Sequence, residues 1–444
     1  MGRCAVSTQK QKRPFALRAL AAFAGTLAIL FVLLLAAYAL PGERVRQHVY
    51  DSARTIQNEG LYPEYLGFKL FQMDNYTDTL MLFEAASADE LPPLQAMMTN
   101  TAYNVDNFET LADDLAWYIE KDWSTGAQRT DAPALEPFSY ARYWHGYLIW
   151  LRPLLLLMPY TGVRIVQYIV LFALLAVVLV QLRRRCGLRA AVWFAVSQLA
   201  VSVWFVPHQV QYFTCFMIAY AGCAWVLAKP RRSDVLCLGL LVLGTATAFC
   251  DLLVTPIITL GLPLTCWLLE PQQRLRGGVP QCALAVGGSL CWGTGYALCW
   301  AGKWALAGAV TNNNVLADAL HQAEVRTTAD TWHGMELTWR NIFGFLYDTL
   351  NSHHLFWPAL AVLAVLIALF ILSIRSKTAL VRALPLALTT CMTPAWFVLL
   401  RTHSIQHGWF TWRALGLTVF AGLAFLYYAC DLRAARRRLQ KGSI

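Results

Sequence analysis

The sequence has few charged residues, and this scarcity excludes an ordinary soluble enzyme. Of its 444 residues, 14% are charged and 57% are hydrophobic, whereas about 25% of residues in an average soluble protein are charged. Several apolar stretches, beginning with Phe15 to Leu40, reach or approach the length a membrane-crossing helix requires. That length is roughly 20 residues for a bilayer core about 30 Å thick. The composition therefore predicts a multi-pass membrane protein.

The sequence also lacks the short motifs of soluble catalysis. It contains no glycine-rich phosphate loop with a lysine, no nucleophile elbow and no zinc-binding helix motif. These absences argue against ATP-driven transport by this chain alone. None of the 12 cysteines lies between Pro41 and Arg142, so we expect this long segment to fold without disulfides.

Acidic and basic residues are distributed unevenly along the chain. Residues 41–142 hold 17 acidic and 7 basic residues, and the rest of the chain holds 9 acidic and 29 basic residues. Because basic clusters beside apolar segments favour the cytoplasmic side of a membrane, we expect both termini in the cytoplasm and the acidic segment outside. The basic clusters indicate contact with anionic lipid headgroups in the cell membrane and not with nucleic acid.

Hydropathy and charge together predict an all-α polytopic fold with about ten transmembrane helices. The stretch from Tyr143 to Tyr160 carries His145 and Arg152 and is interrupted by two prolines, so we expect it to be interfacial and not a full span. The predicted order is a cytoplasmic N-terminus (1–14), a first transmembrane helix (15–40), an extracytoplasmic loop of amphipathic helices (41–142), a multi-span membrane domain (143–430) with a second outer loop (307–353), and a basic cytoplasmic tail (431–444).

Two aspartates in the long outer loop form the first candidate site. On a helix, Asp74 and Asp78 are one turn apart and share a face. Paired carboxylates repel each other unless a cation or a shared proton relieves them, and they suit a general base or a divalent cation site. The alternative is a solvated acidic turn in which one aspartate caps a helix.

Further candidates lie at the outer ends of later spans. Asp251 follows an apolar run at the tip of a predicted helical hairpin, and Lys303 lies between Trp300 and Trp304 near the outer end of another span. Both are candidate substrate ligands. Helix capping by the aspartate and snorkelling by the lysine are the alternatives.

The last predicted hairpin carries the densest group of candidate substrate ligands. Arginine binds phosphate oxygens through a planar fork, and histidine adds a hydrogen bond or moves a proton. A zinc site at the two histidines would need further ligands. An outer cavity with acids on the first loop and bases on this hairpin suits a lipid-phosphate substrate. The candidate ligands of this hairpin are Arg401, His403, His407 and Arg413.

The order of these parts resembles the GT-C class of integral membrane glycosyltransferases, which use polyprenyl-phosphate sugars. The resemblance rests on the layout of spans and loops, and on Tyr143-Trp144-His145-Gly146-Tyr147 followed by Pro153 and Val163-Arg164. The chain also resembles uncharacterised bacterial membrane proteins with an Asp-Asn-aromatic-Thr-Asp pattern and an arginine-rich last hairpin.

The resemblance implies that an acid on the first outer loop is the catalytic base, which maps onto Asp74 or Asp78. Glu43, Asp51 and Asp251 are the alternatives. His145 and Arg152 are further candidate substrate ligands.

We therefore expect transfer of a glycosyl group from a polyprenyl-phosphate sugar to an extracytoplasmic acceptor. The sequence identifies no cofactor, and Asp74 and Asp78 are candidate ligands of a divalent cation. One alternative is a transporter or flippase for a lipid-linked or anionic solute. Coupled carriers often show internal repeats and charges at mid-membrane. This sequence shows no repeat, and its charged candidates lie at the outer edge, so the carrier is less favoured. The other is a noncatalytic assembly subunit.

Overall fold

A computed structural model describes residues 14–103, 108–120, 137–276, 278–327 and 354–431, together with isolated positions between 331 and 351. Almost all of the predicted N-terminal segment and tail, and much of the second half of the predicted loop 307–353, lie outside these residues.

The described chain is almost entirely helical. Short 3-10 turns connect several of the helices, and two small antiparallel hairpins are the described strands. The helices of the first half are α1 (Phe15–Tyr38), α2 (Glu43–Glu59), α3 (Asn75–Ser87), α4 (Pro93–Thr99), α5 (Leu111–Glu120), α6 (Leu148–Leu155), α7 (Tyr160–Cys186), α8 (Leu188–Ala200) and α9 (Val210–Ala228). Those of the second half are α10 (Ser233–Cys250), α11 (Ile257–Leu268), α12 (Pro271–Arg274), α13 (Gly278–Thr311), α14 (Val315–Thr327), α15 (Phe356–Ser373), α16 (Lys377–Leu399), α17 (Arg401–Gln406), α18 (Gly408–Thr411) and α19 (Leu415–Ala429). Strand β1 (Thr101–Tyr103) pairs with β2 (Pro137–Ser139), and β3 (Thr331–Trp332) pairs with β4 (Met335–Glu336).

Within the described residues, eight helical segments are long and apolar enough to cross a membrane. Seven are single helices, and the eighth, Gly408–Ala429, joins α18 to α19. Helices α8 and α11 are apolar but have only 13 and 12 residues. Helix α6 has eight residues, about 12 Å of rise, which is too short to cross a bilayer core about 30 Å thick by itself. The architecture is that of an all-α, multi-pass membrane protein. The eight segments are α1, α7, α9, α10, α13, α15, α16 and Gly408–Ala429.

Several basic clusters meet at one end of the helix bundle, which we call the basic end. Arg18 at the start of α1 forms an ion pair of 2.8 Å with Asp234 at the start of α10. The end of α7 is joined to the α11–α12 turn by an ion pair of 2.8 Å between Arg185 and Glu270. The backbone N–H of Arg375 donates to the carbonyl of Ala429 at 3.0 Å. Clusters that are far apart in sequence therefore share one end.

The acidic first loop packs at the opposite end, which we call the loop end. The indole N–H of Trp144 donates to the carbonyl of Cys299 on α13 at 2.8 Å. On the same helix, the Lys303 ammonium donates to Asn100 Oδ1 at 2.6 Å. The Arg401 Nε donates to the carbonyl of Thr327 at 3.1 Å, so the last hairpin meets α14. The described parts of both predicted outer loops thus lie with the last hairpin at this end.

Close packing of small residues holds the bundle together between these ends. A side-chain carbon at Gly244 on α10 would lie 2.1 Å from the carbonyl oxygen of Trp292, and one at Gly295 on α13 would lie 2.2 Å from that of Leu241. Glycine at both positions therefore lets the two helix backbones touch, as small residues do in membrane helix pairs.

The arrangement of ends leads to a prediction about accessibility. Asn313, after α13, is exposed at the loop end, and Gln272, on α12, is exposed at the basic end. In intact cells, a membrane-impermeant thiol reagent should label a cysteine replacing Asn313. A cysteine replacing Gln272 should be labelled only after permeabilisation, because basic clusters favour the cytoplasm. Labelling of both cysteines in intact cells would contradict the placement of the two positions at opposite ends. Labelling of residue 272 in intact cells, and of residue 313 only after permeabilisation, would show that the basic end faces outward.

Candidate functional site

Asp74 caps the helix that carries the acidic motif. Its Oδ1 accepts a hydrogen bond from the Thr77 backbone N–H at 3.0 Å, and its Oδ2 accepts one from the Thr77 hydroxyl at 2.9 Å. Burial raises the pKa of Asp74, and the Thr77 bonds offset only part of this rise. The side chains of Gln211 and Trp409 approach and also lower the pKa, without completing hydrogen bonds of normal geometry. Both oxygens of Asp74 are thus engaged within its own helix.

Asp78 differs from Asp74, because it caps a transmembrane helix to which it does not itself belong. Its carboxylate accepts hydrogen bonds from the backbone N–H groups of Val210 at 3.2 Å and Gln211 at 3.3 Å, at the start of α9. The Tyr160 hydroxyl on α7 donates to the same carboxylate. Burial raises the pKa of Asp78 to about 7, and these bonds oppose the rise. The helix start has unpaired N–H groups that need such an acceptor.

The two aspartates therefore have separate partners within the fold. In the part of the chain that the structure describes, no group of three or more histidine, cysteine, aspartate or glutamate side chains is placed to hold a metal ion. This also applies to the two histidines of the last hairpin.

A buried ion pair beside these aspartates was missed in the sequence analysis. The guanidinium fork of Arg164 on α7 binds both carboxylate oxygens of Glu59, at 2.5 Å and 2.8 Å. Asn75 donates to Glu59 at 3.2 Å. The bonds and charge of Arg164, together with the nearby charge of His208, lower the pKa of Glu59 against the effect of burial. An arginine inside an apolar span needs a partner, so the position of Arg164 in the sequence could have predicted a buried acidic partner.

Lys303 also serves the fold. Its ammonium is fully buried and donates to the carbonyls of Met97 at 2.7 Å and Met98 at 3.3 Å, besides Asn100 Oδ1 at 2.6 Å. Three acceptors match the three protons of the ammonium. Lys303 therefore secures the end of α4 against α13 and does not snorkel to water.

Two other candidate ligands, Arg152 and His145, are buried near α6. The Arg152 Nη2 donates to the carbonyl of Leu40 at 2.7 Å, and burial lowers the pKa of this arginine. The ring of His145 lies between Glu84 Oε2 at 2.7 Å and the carbonyl of Tyr140 at 3.0 Å. His145 thus connects the first loop to the segment that follows it, and Arg152 connects that segment to the end of the first span.

The two arginines of the last hairpin contact different parts of the molecule. Arg413 is buried and donates to the carbonyls of Trp409 at 3.0 Å and Leu70 at 3.4 Å, with its guanidinium 4.7 Å from the centre of the Tyr212 ring. Arg401 instead contacts Thr327 at the end of α14. The structure therefore does not bring the two guanidinium groups to a common ligand.

The histidines of the hairpin form a buried pair. Their ring centres are 4.7 Å apart, and the Nε2 of His403 lies 2.8 Å from the carbonyl of Leu253, to which it donates. The Nδ1 atoms of both rings are buried without a hydrogen bond. Burial lowers the pKa of His403 and brings that of His407 to about 3, and the nearby charge of Arg326 adds to both shifts. The pair is therefore neutral at physiological pH and offers acceptors, not positive charge.

A cavity of about 220 Å³ lies beside this pair at the loop end. It is walled by helices α13, α14 and α16 and by five aromatic rings, its surface is almost entirely apolar, and two arginines are among its lining residues. Arg142 forms an ion pair of 3.2 Å with Asp318, and the Arg326 Nη1 donates to Gln322 Oε1 at 3.1 Å. The sequence analysis missed Arg326 because α14 has no motif. The lining residues are Arg142, Tyr143, Leu253, Tyr296, Trp300, Trp304, Ala319, Gln322, Ala323, Arg326, Thr327, Trp396 and Leu400.

Asp251 is the candidate acid next to this cavity. Leu253, two residues later, has a positive φ of 68° and lines the cavity. The Asp251 Oδ2 accepts a hydrogen bond from the Val254 N–H at 3.0 Å, whereas its Oδ1 is buried without a hydrogen bond of normal geometry. Burial raises the pKa of Asp251 to about 7, although the Cys215 thiol and the nearby backbone N–H groups approach the carboxylate and lower the pKa. A buried carboxylate with such a pKa suits proton transfer at neutral pH.

The neutral histidine pair predicts a dependence of stability on pH. Below about pH 6.5 the unfolded chain binds protons that the folded rings exclude, so each buried ring costs about 1.4 kcal/mol of stability per pH unit. Between about pH 7.5 and pH 5 in detergent, the thermal midpoint should therefore fall more in the native protein than in His403→Gln.

His321, an exposed histidine on α14, supplies the matched control for this measurement. His321→Gln should leave the pH dependence of the native protein unchanged. An equal fall in the His403→Gln variant and the native protein would show that the hairpin histidine is not held neutral by the fold.

Comparison of the chain with protein families, with curated proteins and with solved structures gives no match. The function must therefore be argued from the residues at the loop end. Asp74, Asp78 and Lys303 make their contacts within the fold, and Arg413 does so except for its Nε, which is buried without a hydrogen bond. Asp251 and the histidine pair also keep polar atoms without a hydrogen bond, and they lie near an aromatic cavity that two arginines help to line.

Proposed function

We propose that this protein transfers a glycosyl group from a polyprenyl-phosphate sugar to an acceptor at the loop end, as GT-C-like membrane glycosyltransferases do. The observation that carries the proposal is the cavity of about 220 Å³, in which aromatic walls, arginines and a neighbouring buried carboxylate are combined. Aromatic rings pack against sugar faces and isoprenoid chains. Arginine forks bind the phosphate that joins those two parts.

In this proposal Arg326 and Arg142 bind the donor phosphate. The Arg326 Nη1 is held by Gln322 on the same helix, and among the described residues its other nitrogens make no hydrogen bond, so we propose that they bind the donor. Arg142 is partly neutralised by Asp318, so the cavity keeps net positive charge without the donor. Arg401, which contacts Thr327 at the cavity wall, supports the position of α14 and adds to the local field. The phosphate becomes a better leaving group when its charge is stabilised in this way.

Asp251 acts as the base in this proposal. It accepts the proton of the acceptor hydroxyl while the hydroxyl oxygen bonds to the anomeric carbon. The bond between that carbon and the phosphate oxygen breaks, and polyprenyl phosphate leaves with the electron pair. A base held near pKa 7 is well matched to this transfer at neutral pH. The neutral histidine pair offers an acceptor for a second hydroxyl of the substrate.

We further propose ten membrane crossings with both termini in the cytoplasm of the cell. Support comes from the two short apolar helices. At the start of α8, Arg189 donates a hydrogen bond to the Tyr427 hydroxyl at the basic end. The chain after α8 reaches His208, which is hydrogen-bonded to Tyr65 at the loop end. Helix α11 begins after the Asp251 turn and ends where Trp267 donates to the carbonyl of Arg231. Both therefore connect the two ends, like the eight longer segments.

The assignment predicts a selective loss of turnover. Purified protein in nanodiscs, given polyprenyl-phosphate sugars and a membrane extract as acceptor source, should release free polyprenyl phosphate. Asp251→Asn should lower the rate by about 10²- to 10⁴-fold, the usual effect of losing a general base, while donor binding is kept. Asp74→Asn and Asp78→Asn carry the same chemical change in carboxylates that cap helices, and we expect much smaller effects on the rate once folding is confirmed.

Two outcomes would contradict this account in different ways. Full turnover in Asp251→Asn together with loss in Asp74→Asn or Asp78→Asn would return the base to the first loop. Movement of intact lipid-linked sugar across a proteoliposome membrane, with no bond cleavage in any sample, would overturn glycosyl transfer and favour a flippase.

A further inference from the structure

A second polar cavity lies at the basic end, far from the proposed transfer site. It has a volume of about 320 Å³ and is enclosed by the α12 region, the first turns of α16 and the end of α19. Three arginines line it, Arg274, Arg375 and Arg382, and none of the described residues around it is acidic. The volume equals that of roughly ten water molecules in the liquid, which is enough for a phosphate with further polar atoms.

The arginines of this cavity retain hydrogen-bond donors. The Arg274 Nη1 donates to the Tyr428 hydroxyl at 2.6 Å, while its buried Nε has no hydrogen bond. The Arg375 Nε donates to the carbonyl of Cys430. Among the ion pairs of the described residues, none includes Arg274, Arg375 or Arg382. Three guanidinium groups around one cavity without an acid create a site for an anion.

The start of helix α16 adds to this positive field. Ser376 caps the helix by accepting a hydrogen bond from the Ala379 N–H at 3.1 Å, and Ser376, Thr378 and Ala379 all line the cavity. The N-terminus of this 23-residue helix carries a partial positive charge and backbone N–H donors. The helix start and the arginines therefore favour the same kind of ligand.

A neighbouring cavity indicates that the anion carries an apolar chain. It has a volume of about 640 Å³, shares Arg375 with the first, and lies between α15 and α19. Leu366, Leu369 and Phe370 line it from α15, Leu426 lines it from α19, and Arg189 and Asp431 are among its polar lining residues. Most of α15 is exposed on the outside of the bundle, where lipid chains would surround it. Arg375 thus lines both the polar cavity and a larger one whose α15 side is apolar.

We infer that the basic end binds one anionic phospholipid, with its phosphate in the cavity of Arg274, Arg375 and Arg382 and an acyl chain between α15 and α19. Basic pockets between transmembrane helices commonly hold such headgroups. The bound lipid would fill the space between α15 and the bundle and would hold α15 beside α19. The inference does not depend on glycosyl transfer, because it concerns the opposite end of the molecule.

Binding of a short-chain lipid to the full-length protein in detergent tests this inference. Dioctanoyl phosphatidylglycerol should bind saturably, as measured by native mass spectrometry or calorimetry. The double variant Arg274→Gln/Arg382→Gln should bind it about 10- to 100-fold more weakly, because two positive charges beside the headgroup are lost. The double variant Arg183→Gln/Arg184→Gln removes the same charge from exposed arginines at this end and should bind normally.

Three further measurements decide the identity of the ligand. Arg382→Gln alone changes an exposed side chain on α16, so it keeps the test valid if the double variant fails to fold, and it should weaken binding about fivefold. Unchanged binding in Arg382→Gln and in the folded double variant would overturn the inference. Equal binding of dioctanoyl phosphatidylcholine would overturn recognition of net charge, and displacement by inorganic phosphate at equal concentration would show a site for a soluble anion instead.

Discussion

The structure depends on one constraint, which is that an ionisable side chain buried in a membrane bundle must find a partner. An isolated buried charge is far more costly than any single apolar contact is favourable. Arg164 forms an ion pair with Glu59, Asp78 accepts hydrogen bonds from the start of α9, and Lys303 donates hydrogen bonds to the end of α4. In each case one partner belongs to a span and the other to the first loop. The charges thereby hold the loop on the bundle, where apolar packing alone would leave its position less well defined.

The same constraint separates residues that serve the fold from those available for chemistry. A carboxylate whose oxygens already accept hydrogen bonds from protein groups, as in Asp74, is stabilised where it stands and has little capacity left for a substrate. Asp251 differs because one of its oxygens is buried without a bond, beside a cavity whose rings and arginines come from helices distant in sequence. Unsatisfied buried groups in a native fold call for an explanation. Substrate binding, as we propose it, would supply one for Asp251 and for the Nδ1 atoms of His403 and His407.

The sequence was sufficient to predict the helical, multi-pass architecture, because the apolar runs and their flanking bases report directly on the membrane. It was less informative about partners. Asp74 and Asp78 look like a catalytic pair because they are one turn apart, yet the groups that bind Asp78 lie on α7 and α9. Arg401 and Arg413 look like one phosphate site, yet the turns around His407 direct them to different neighbours. The cavity itself could not be predicted, since Arg326 meets the aromatic residues of α13 only after the chain folds.

The central claim is that the loop-end cavity holds a lipid-linked sugar with its phosphate on the arginines and its anomeric carbon near Asp251. A structure of the protein in nanodiscs with a polyprenyl-phosphate sugar, in the inactive Asp251→Asn variant, tests this directly. We expect the phosphate within hydrogen-bond distance of Arg326 and Arg142, and the sugar between the cavity rings and residue 251. Donor bound instead beside Asp74 and Arg413, with this cavity empty, would contradict the account.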